Sequence, residues 1–348
     1  MKALELLNEI ETDLLNGLMD YLTGGNIGSA EWQLSRMQLL GRLRNFGIET
    51  IKKRRPELIA AIKEELEYKA FRRVTMIDNM VDEKKLSAVL PASADPRIRG
   101  IVARWEARTI AKADTMFATM LNNMDAIYKN TVTKTALKVQ LGVSGRKAIA
   151  ETAKEWARTG IPALVDSAGR TWTPETYATA VIRTASTNSM NDAQLERMQE
   201  LDEDLVEISS HLGSRPEHAD FQGKIFSVSG KSTKYPPLSI TGYGTAGGIG
   251  GVNCRHVIYP YFEGTKKTFS PFPEKKNDKE YAQSQRQRAL ERSIRRAKRE
   301  LGLMQKTGSR EEIEQAKKLV SARQKAMREF VGENNRPREY GREQIWEA

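Results

Sequence analysis

Two stretches decide how this chain is read: SSHLGSRPEHADFQGKIFSVSG, residues 209–230, and CRHVIYPYF, residues 254–262. Between them runs a Pro- and Gly-rich loop containing GYGTAGGIGG, residues 242–251. All 3 histidines (His211, His218, His256) and the single cysteine, Cys254, fall in this span of a 348-residue chain. Incidental residues would scatter, so their concentration predicts one compact polar site. DLVEISS at 204–210, KIFSV at 224–228 and the segment 255–262 have the texture of short strands. With a helix before them they make a small central α+β domain, residues 144–265.

Upstream, residues 1–143 read as a helical region. Leu4, Leu7, Leu14, Leu18 and Leu22 recur at helical spacing until Gly24-Gly25. Ser29 is placed to cap the next helix, which carries Trp32, Leu39, Leu43 and Phe46 and is expected to end at Gly47. Pro56 is expected in the first turn of a third helix, running through Leu66, Phe71 and Met76 towards Leu90 and Pro91. A fourth follows Asp95-Pro96 and carries Ile101, Trp105, Ile110, Phe117 and Ile127. A short helix from Ser144 ends at Gly160, two extended pieces flank Ser167-Ala168-Gly169, and Thr173-Pro174 opens a helix towards Met198.

Downstream, residues 266–348 read as a basic linker, a helical pair and a polar tail. From Gly264 to the end there are 22 Lys/Arg against 13 Asp/Glu, which places +9 of the chain's +11 in this segment. SPFPEKKND is read as linker, followed by a helix from about Tyr281 to Leu301 with Leu290, Ile294, Ala297 and Leu301 on one face. Arg288, Arg292, Arg295, Arg296 and Arg299 occupy its other faces and are candidate phosphate contacts, with only Glu291 as a carboxylate between Arg286 and Arg299. No aromatic is interleaved with these charges, so binding would be independent of sequence. Ser309 and Glu312 match a capping box that opens a second helix.

The fold class expected is therefore α+β and mainly helical. A hydrophobic content of 39% and charged content of 29% are ordinary for a globular protein. One cysteine excludes an internal disulfide. The first residues, MKALELLNEIETDLL, lack the basic and apolar regions of a signal peptide, and no apolar run reaches membrane-spanning length. Synthesis and folding in a reducing cytoplasm are expected, and no membrane partner.

Several chemistries compete at the central stretch. Cys254 and His256 are two apart, so on a strand they share a face, and His211 and His218 can converge on them from the preceding loop. Thiolate and imidazole together suit zinc, although no CxxC knuckle accompanies them. The alternative is a polar network in which the histidines bond backbone carbonyls and no cofactor is held. A Cys254 nucleophile with His256 as base is poorly aimed at that spacing. Glu217, Asp220 and Gln222-Gly223-Lys224 resemble a magnesium nuclease arrangement, at too short a spacing. Arg183 with Ser186-Thr187-Asn188 resembles an ADP-ribosyltransferase pattern, but within a helix. Gly242, Gly244 and Gly247 match GxGxxG without the helix a dinucleotide site requires, so a mobile loop is expected there.

Taken together, SSHLGSRPEHADFQGKIFSVSG, GYGTAGGIGG and NCRHVIYPYF resemble the phage minor capsid protein 2 family, related to the Mu F-like head morphogenesis proteins. WTPETYATAVIRTASTNSMND at 172–192 and FVGENNRPREYGRE at 330–343 are similar to it as well. The resemblance implies a structural head component of a tailed bacteriophage, associated with the portal inside the head and taking part in head assembly or genome delivery. It implies a portal protein, packaged double-stranded DNA and scaffold or major capsid protein as partners, and a place in the virion after assembly in the host cytoplasm. It also implies that Arg215, Pro216, Gln222, Gly223, Lys224 and Arg255 belong to the family signature with the histidines and Cys254. No catalytic activity follows from it. The alternative is a metal-dependent nuclease or other enzyme centred on His211, His218 and His256.

Overall fold

The computed structural model describes residues 2–81 and 89–345. Its architecture is mainly helical α+β. In order the elements are α1 (Lys2–Leu22), α2 (Ala30–Gln38), α3 (Leu40–Asp78), α4 (Pro96–Gln140), α5 (Gly145–Thr159), β1 (Leu164–Val165), β2 (Thr171–Trp172) and α6 (Pro174–Glu200). Then come β3 (Leu205–Ile208), α7 (Pro216–Ala219), β4 (Ile225–Ser227), β5 (Ile258–Pro260), α8 (Glu274–Thr307) and α9 (Arg310–Glu333). No described helix is long and apolar enough to cross a membrane.

The chain forms two compact units, each assembled from separated segments. The first comprises Met1–Leu58, Ala113–Ala178 and Gln285–Ala348; the second comprises Ile59–Lys112 and Thr179–Ser284.

In the first unit, α1 buries Ile10, Leu14, Leu18 and Leu22 completely. Ser29 caps α2 by accepting from the Trp32 amide at 3.1 Å. The expected stop at Gly47 does not occur. Instead α2 ends at Gln38, capped by Leu39, and α3 runs through Gly47 because a close approach is needed there: a Cβ would lie 2.7 Å from Leu121 and Met124. Pro56 likewise sits inside α3, not at its start. It removes one helical hydrogen bond, and the buried stripe of Ile51, Leu58, Ile62 and Leu66 continues across it. The further run expected towards Leu90 falls on 82–88, outside the described residues; α3 ends at Asp78.

β1 and β2 form an antiparallel hairpin. Asp166 organises its turn, accepting from the Ala168 and Arg170 amides at 3.0 and 2.9 Å and from the Trp172 indole at 3.1 Å. These bonds, with Arg170 beside it, hold its carboxyl down at about 2. The helix α8 begins at Glu274, so the second half of SPFPEKKND is helical, not linker. The capping box at Ser309 and Glu312 is complete, with both reciprocal bonds formed.

The second unit is built on an antiparallel sheet of order β4-β3-β5. Val206 pairs with Phe226 and Pro260, and Ile208 with Ile258. Val206, Ile208, Phe226 and Ile258 pack with Ile77, Met198, Leu201, Leu238 and Ile249 into one core. Glu207 points to the other face, where it accepts from the Thr268 and Phe269 amides at 2.9 and 2.8 Å. Beside this core Arg197 is fully buried among carboxylates, 3.1 Å from Asp78 and 2.8 Å from Glu200, and donates to the Leu90 carbonyl at 2.6 Å.

Candidate functional site

The site begins where β3 ends. The Ser209 amide donates to the Val257 carbonyl and the Ser209 hydroxyl accepts from the Val257 amide, both at 2.9 Å, so 209–211 and 255–257 leave the sheet side by side. The Gly223 amide returns to the Ile208 carbonyl at 2.8 Å, closing residues 209–222 into a loop. Gly223 has a φ of +62°, and a Cβ there would meet the Phe269 carbonyl oxygen at 2.9 Å, so only glycine closes the loop without strain.

Two amide side chains fill that loop. Gln222, buried, accepts from the His211 amide at 2.6 Å and donates to the Ser214 hydroxyl at 3.0 Å. Asn277, also buried, accepts from the amides of Gly213 and Ser214 and donates back to the Ser214 carbonyl, each at 3.0 Å. The backbone donors of a tight turn are thereby satisfied away from water. Gln222 belongs to the expected signature. Asn277 carries no such mark in the sequence, where it stands among lysines in SPFPEKKND.

Pro216 supplies the first residue of α7, fixing its φ where no intrahelical N–H is required. This single turn carries His218 inward, while Glu217 and Asp220 stay exposed. Arg215 reaches across to the Val252 carbonyl at 2.6 Å, and the Asn253 amide donates to Thr184 of α6 at 3.1 Å. The glycine loop has an ordered hydrogen-bond pattern of its own. It folds on itself through Gly244 to Ile249, Ile249 to Thr241 and Val252 to Ala246 amide–carbonyl bonds of 3.0–3.2 Å. A Cβ on Gly248 would lie 2.0 Å from the Gly242 carbonyl oxygen, so this glycine serves backbone packing and no phosphate.

His218, Cys254 and His256 meet at the centre, all buried, with their ligating atoms within 4.8 Å of one another. Cys254 and His256 lie in the extended segment that enters β5 rather than on the strand itself. The Cys254 Sγ is 3.6 Å from His218 Nδ1 and 3.5 Å from His256 Nδ1. The His218 Nε2 is 2.8 Å from the Gly247 carbonyl oxygen. His211 does not join this trio; its ring packs on that of His256 with centroids 4.3 Å apart. Lys224 and Arg255 are exposed.

Electrostatics separate these groups. Burial, with His211 and His218 alongside, pushes His256 down to about 3, and burial beside Arg255 pushes His211 down to about 4. The contact with Cys254 raises His218 against its burial. Burial alone would raise the Cys254 thiol, but the His218 ring and the Gly250 and His256 amides bring it below its ordinary value. The trio thus offers sulfur with anionic character beside two imidazoles, His256 held neutral by its burial, and thiolate with imidazole is the donor chemistry of a borderline-soft metal.

The basic helix divides into two groups. Arg295 pairs with Glu175 at 2.9 Å and donates to the Arg342 carbonyl, and Arg299 pairs with Glu11 at 3.0 Å; their side chains are only 11% and 12% exposed. These two are internal ion-pair partners, a correction to their reading as phosphate contacts. Arg292 and Arg296 are exposed, as is Arg286, while Arg288 is half-buried. Glu11 and Glu175 lie far away in sequence, so nothing within the helix marks which arginines they neutralise.

Residues 2–332 match the family described as Phage minor capsid protein 2. A "Structural protein" of Lactococcus phage LL-H is 26% identical over 332 residues, covering 91% of this chain and 89% of that protein. A "Structural protein" of Lactococcus phage mv4 is 32% identical over 114 residues, covering 32% of this chain and 93% of that protein. No solved structure matches. The match runs through the first helices as well as the central loop and the basic helices: the chain belongs to the phage minor capsid protein 2 family, structural proteins of the bacteriophage virion.

Proposed function

We propose that the chain is a non-enzymatic minor head component, seated inside the head at the portal, that contacts packaged duplex DNA without sequence preference and aids head assembly or genome delivery. The observation that carries this reading is the set of exposed cations on the C-terminal helices: Arg286, Arg292 and Arg296 on α8, and Lys318, Arg323 and Arg328 on α9. Cations spaced along exposed helices track phosphates and release counterions on binding. In the same unit Leu34, Met37, Leu137 and Leu141 are 63%, 38%, 55% and 76% exposed, apolar contacts available to a portal, scaffold or major capsid protein.

Filter binding of the purified chain to duplex DNA tests the proposal. Affinity should fall steeply with salt and be indifferent to sequence; no retention at low salt would overturn it. The alternative, a metal-dependent nuclease centred on His211, His218 and His256, is weaker. Among the described residues no carboxylate joins the buried trio, and Glu217 and Asp220 face outward. Plasmid DNA incubated with magnesium, manganese or zinc should stay intact. Cleavage that His218→Ala abolishes in a folded protein would reverse the choice.

A further inference from the structure

We propose that His218, Cys254 and His256 bind one zinc ion through Nδ1, Sγ and Nδ1, leaving a fourth coordination position to water. The inference rests on geometry and stands apart from the DNA reading.

The distances are those of an edge, not only of a contact. Zinc binds thiolate sulfur at about 2.3 Å and imidazole nitrogen at about 2.0–2.1 Å in tetrahedral sites, which sets each S···N edge at about 3.6 Å. The two edges here are 3.6 and 3.5 Å. A tetrahedral N···N edge is about 3.3 Å, and the ligand atoms of the two histidines lie within 4.8 Å of each other, so metal binding requires them to close by up to about 1.5 Å.

The tautomer agrees. The His218 Nε2 faces a carbonyl oxygen, that of Gly247, so in the neutral ring it carries the proton and donates. The Nδ1 lone pair is then free and directed at Cys254. A metal-ligating histidine has this same arrangement, its outer nitrogen fixed by a carbonyl. A thiol has one proton and faces two ring nitrogens here, whereas a cation between the three satisfies all of them at once. His211 stays outside the set, packing against His256 from the other side.

The ligands come from two separate stretches: α7, and the extended segment that enters β5. A cation would therefore staple the loop to the sheet.

The test is metal content of the full chain purified from zinc-supplemented medium, with cobalt substitution as a spectroscopic probe. About one zinc per chain is expected, together with intense visible bands and a thiolate-to-cobalt charge-transfer band in the substituted protein. Cys254→Ser should lose the charge-transfer band and most of the zinc, and His211→Ala should keep both. If Cys254→Ser does not fold, the wild-type chain answers instead: zinc should protect Cys254 from alkylation, and a chelator should remove the protection. A folded wild-type chain that takes up neither zinc nor cobalt would overturn the proposal. Zinc retained in Cys254→Ser, or lost in His211→Ala, would overturn the ligand set.

Discussion

Four arginines of α8 should behave as two pairs. Arg292→Gln/Arg296→Gln removes two exposed cations. Each neutralised phosphate contributes about 0.9 to the salt slope, so the pair should lower the slope by about 1.8. Between 50 and 200 mM salt that difference alone changes relative affinity about tenfold. Stability should move by no more than about 0.5 kcal/mol, because neither side chain supports a buried partner. Arg299→Met should do the reverse. Glu11, 2% exposed, accepts from Arg299 at 3.0 Å and from the Ile161 amide at 3.3 Å. Without the guanidinium a buried carboxylate is left uncompensated, a loss of about 3–5 kcal/mol, nearer 3 because Arg299 keeps slight exposure. Burial already raises the Glu11 carboxyl above its ordinary range, against the pull of Arg299. A raised acid is protonated more readily in the folded state, so the loss should shrink as pH falls towards its unfolded value near 4.5. Glu11→Gln in the same chain should recover much of it. Urea denaturation at pH 7 and pH 5, with filter binding across salt, measures all of this. A folded Arg299→Met chain of unchanged stability, with a salt slope reduced as in the exposed pair, would refute the division.

Three further outcomes follow from particular contacts. Gly248→Ala drives a methyl into the Gly242 carbonyl and should cost about 1–3 kcal/mol in urea, whereas Gly247→Ala, with nothing within 4 Å, should be near neutral. Arg197→Met strands Asp78 and Glu200 in the second unit and should cost about 3–5 kcal/mol. The loss should be smaller at pH 5 than at pH 7, since burial raises both carboxyls. Asp166 has the opposite sign: its carboxyl is held at about 2, so its support of the β1–β2 hairpin is complete above its unfolded value near 3.8 and is lost as pH falls through about 2. The Trp172 indole N–H resonance should report that titration, and a midpoint near 3.8 would remove Asp166 from the turn.

What could be read in advance was local. Ser29, Thr173-Pro174 and the Ser309–Glu312 box act within one helical turn, and each stands where its sequence placed it. The strands around Val206, Phe226 and Ile258 were legible because β-branched and aromatic residues cluster there. What failed was tertiary. Gly47 looks like a stop until Leu121 and Met124 are seen to need its missing side chain. Pro56 looks like a start because a proline within a helix is tolerated only when packing outweighs one lost hydrogen bond. Two of the five candidate arginines of the basic helix give no sign of their pairing, because their neutralising carboxylates arrive from α6 and α1. At the candidate site the histidines and cysteine drew attention by being few. Asn277 could not, because an asparagine among lysines looks like any polar linker residue.

The pairing of Glu11 with Arg299 also sets a clock on biosynthesis. The partners are 288 residues apart. At about 5–20 residues per second, a ribosome takes roughly 15–60 s to deliver the second after the first. The second unit ends at Ser284, so all its segments emerge earlier; the first unit waits for residues 285–348. For that interval the nascent chain carries Glu11 without Arg299, although α1 already has Phe46 of α3 against Gly17 and Tyr21. Closing so long a loop is entropically slow. That delay is the period in which the Glu11 carboxylate is open to any other cation.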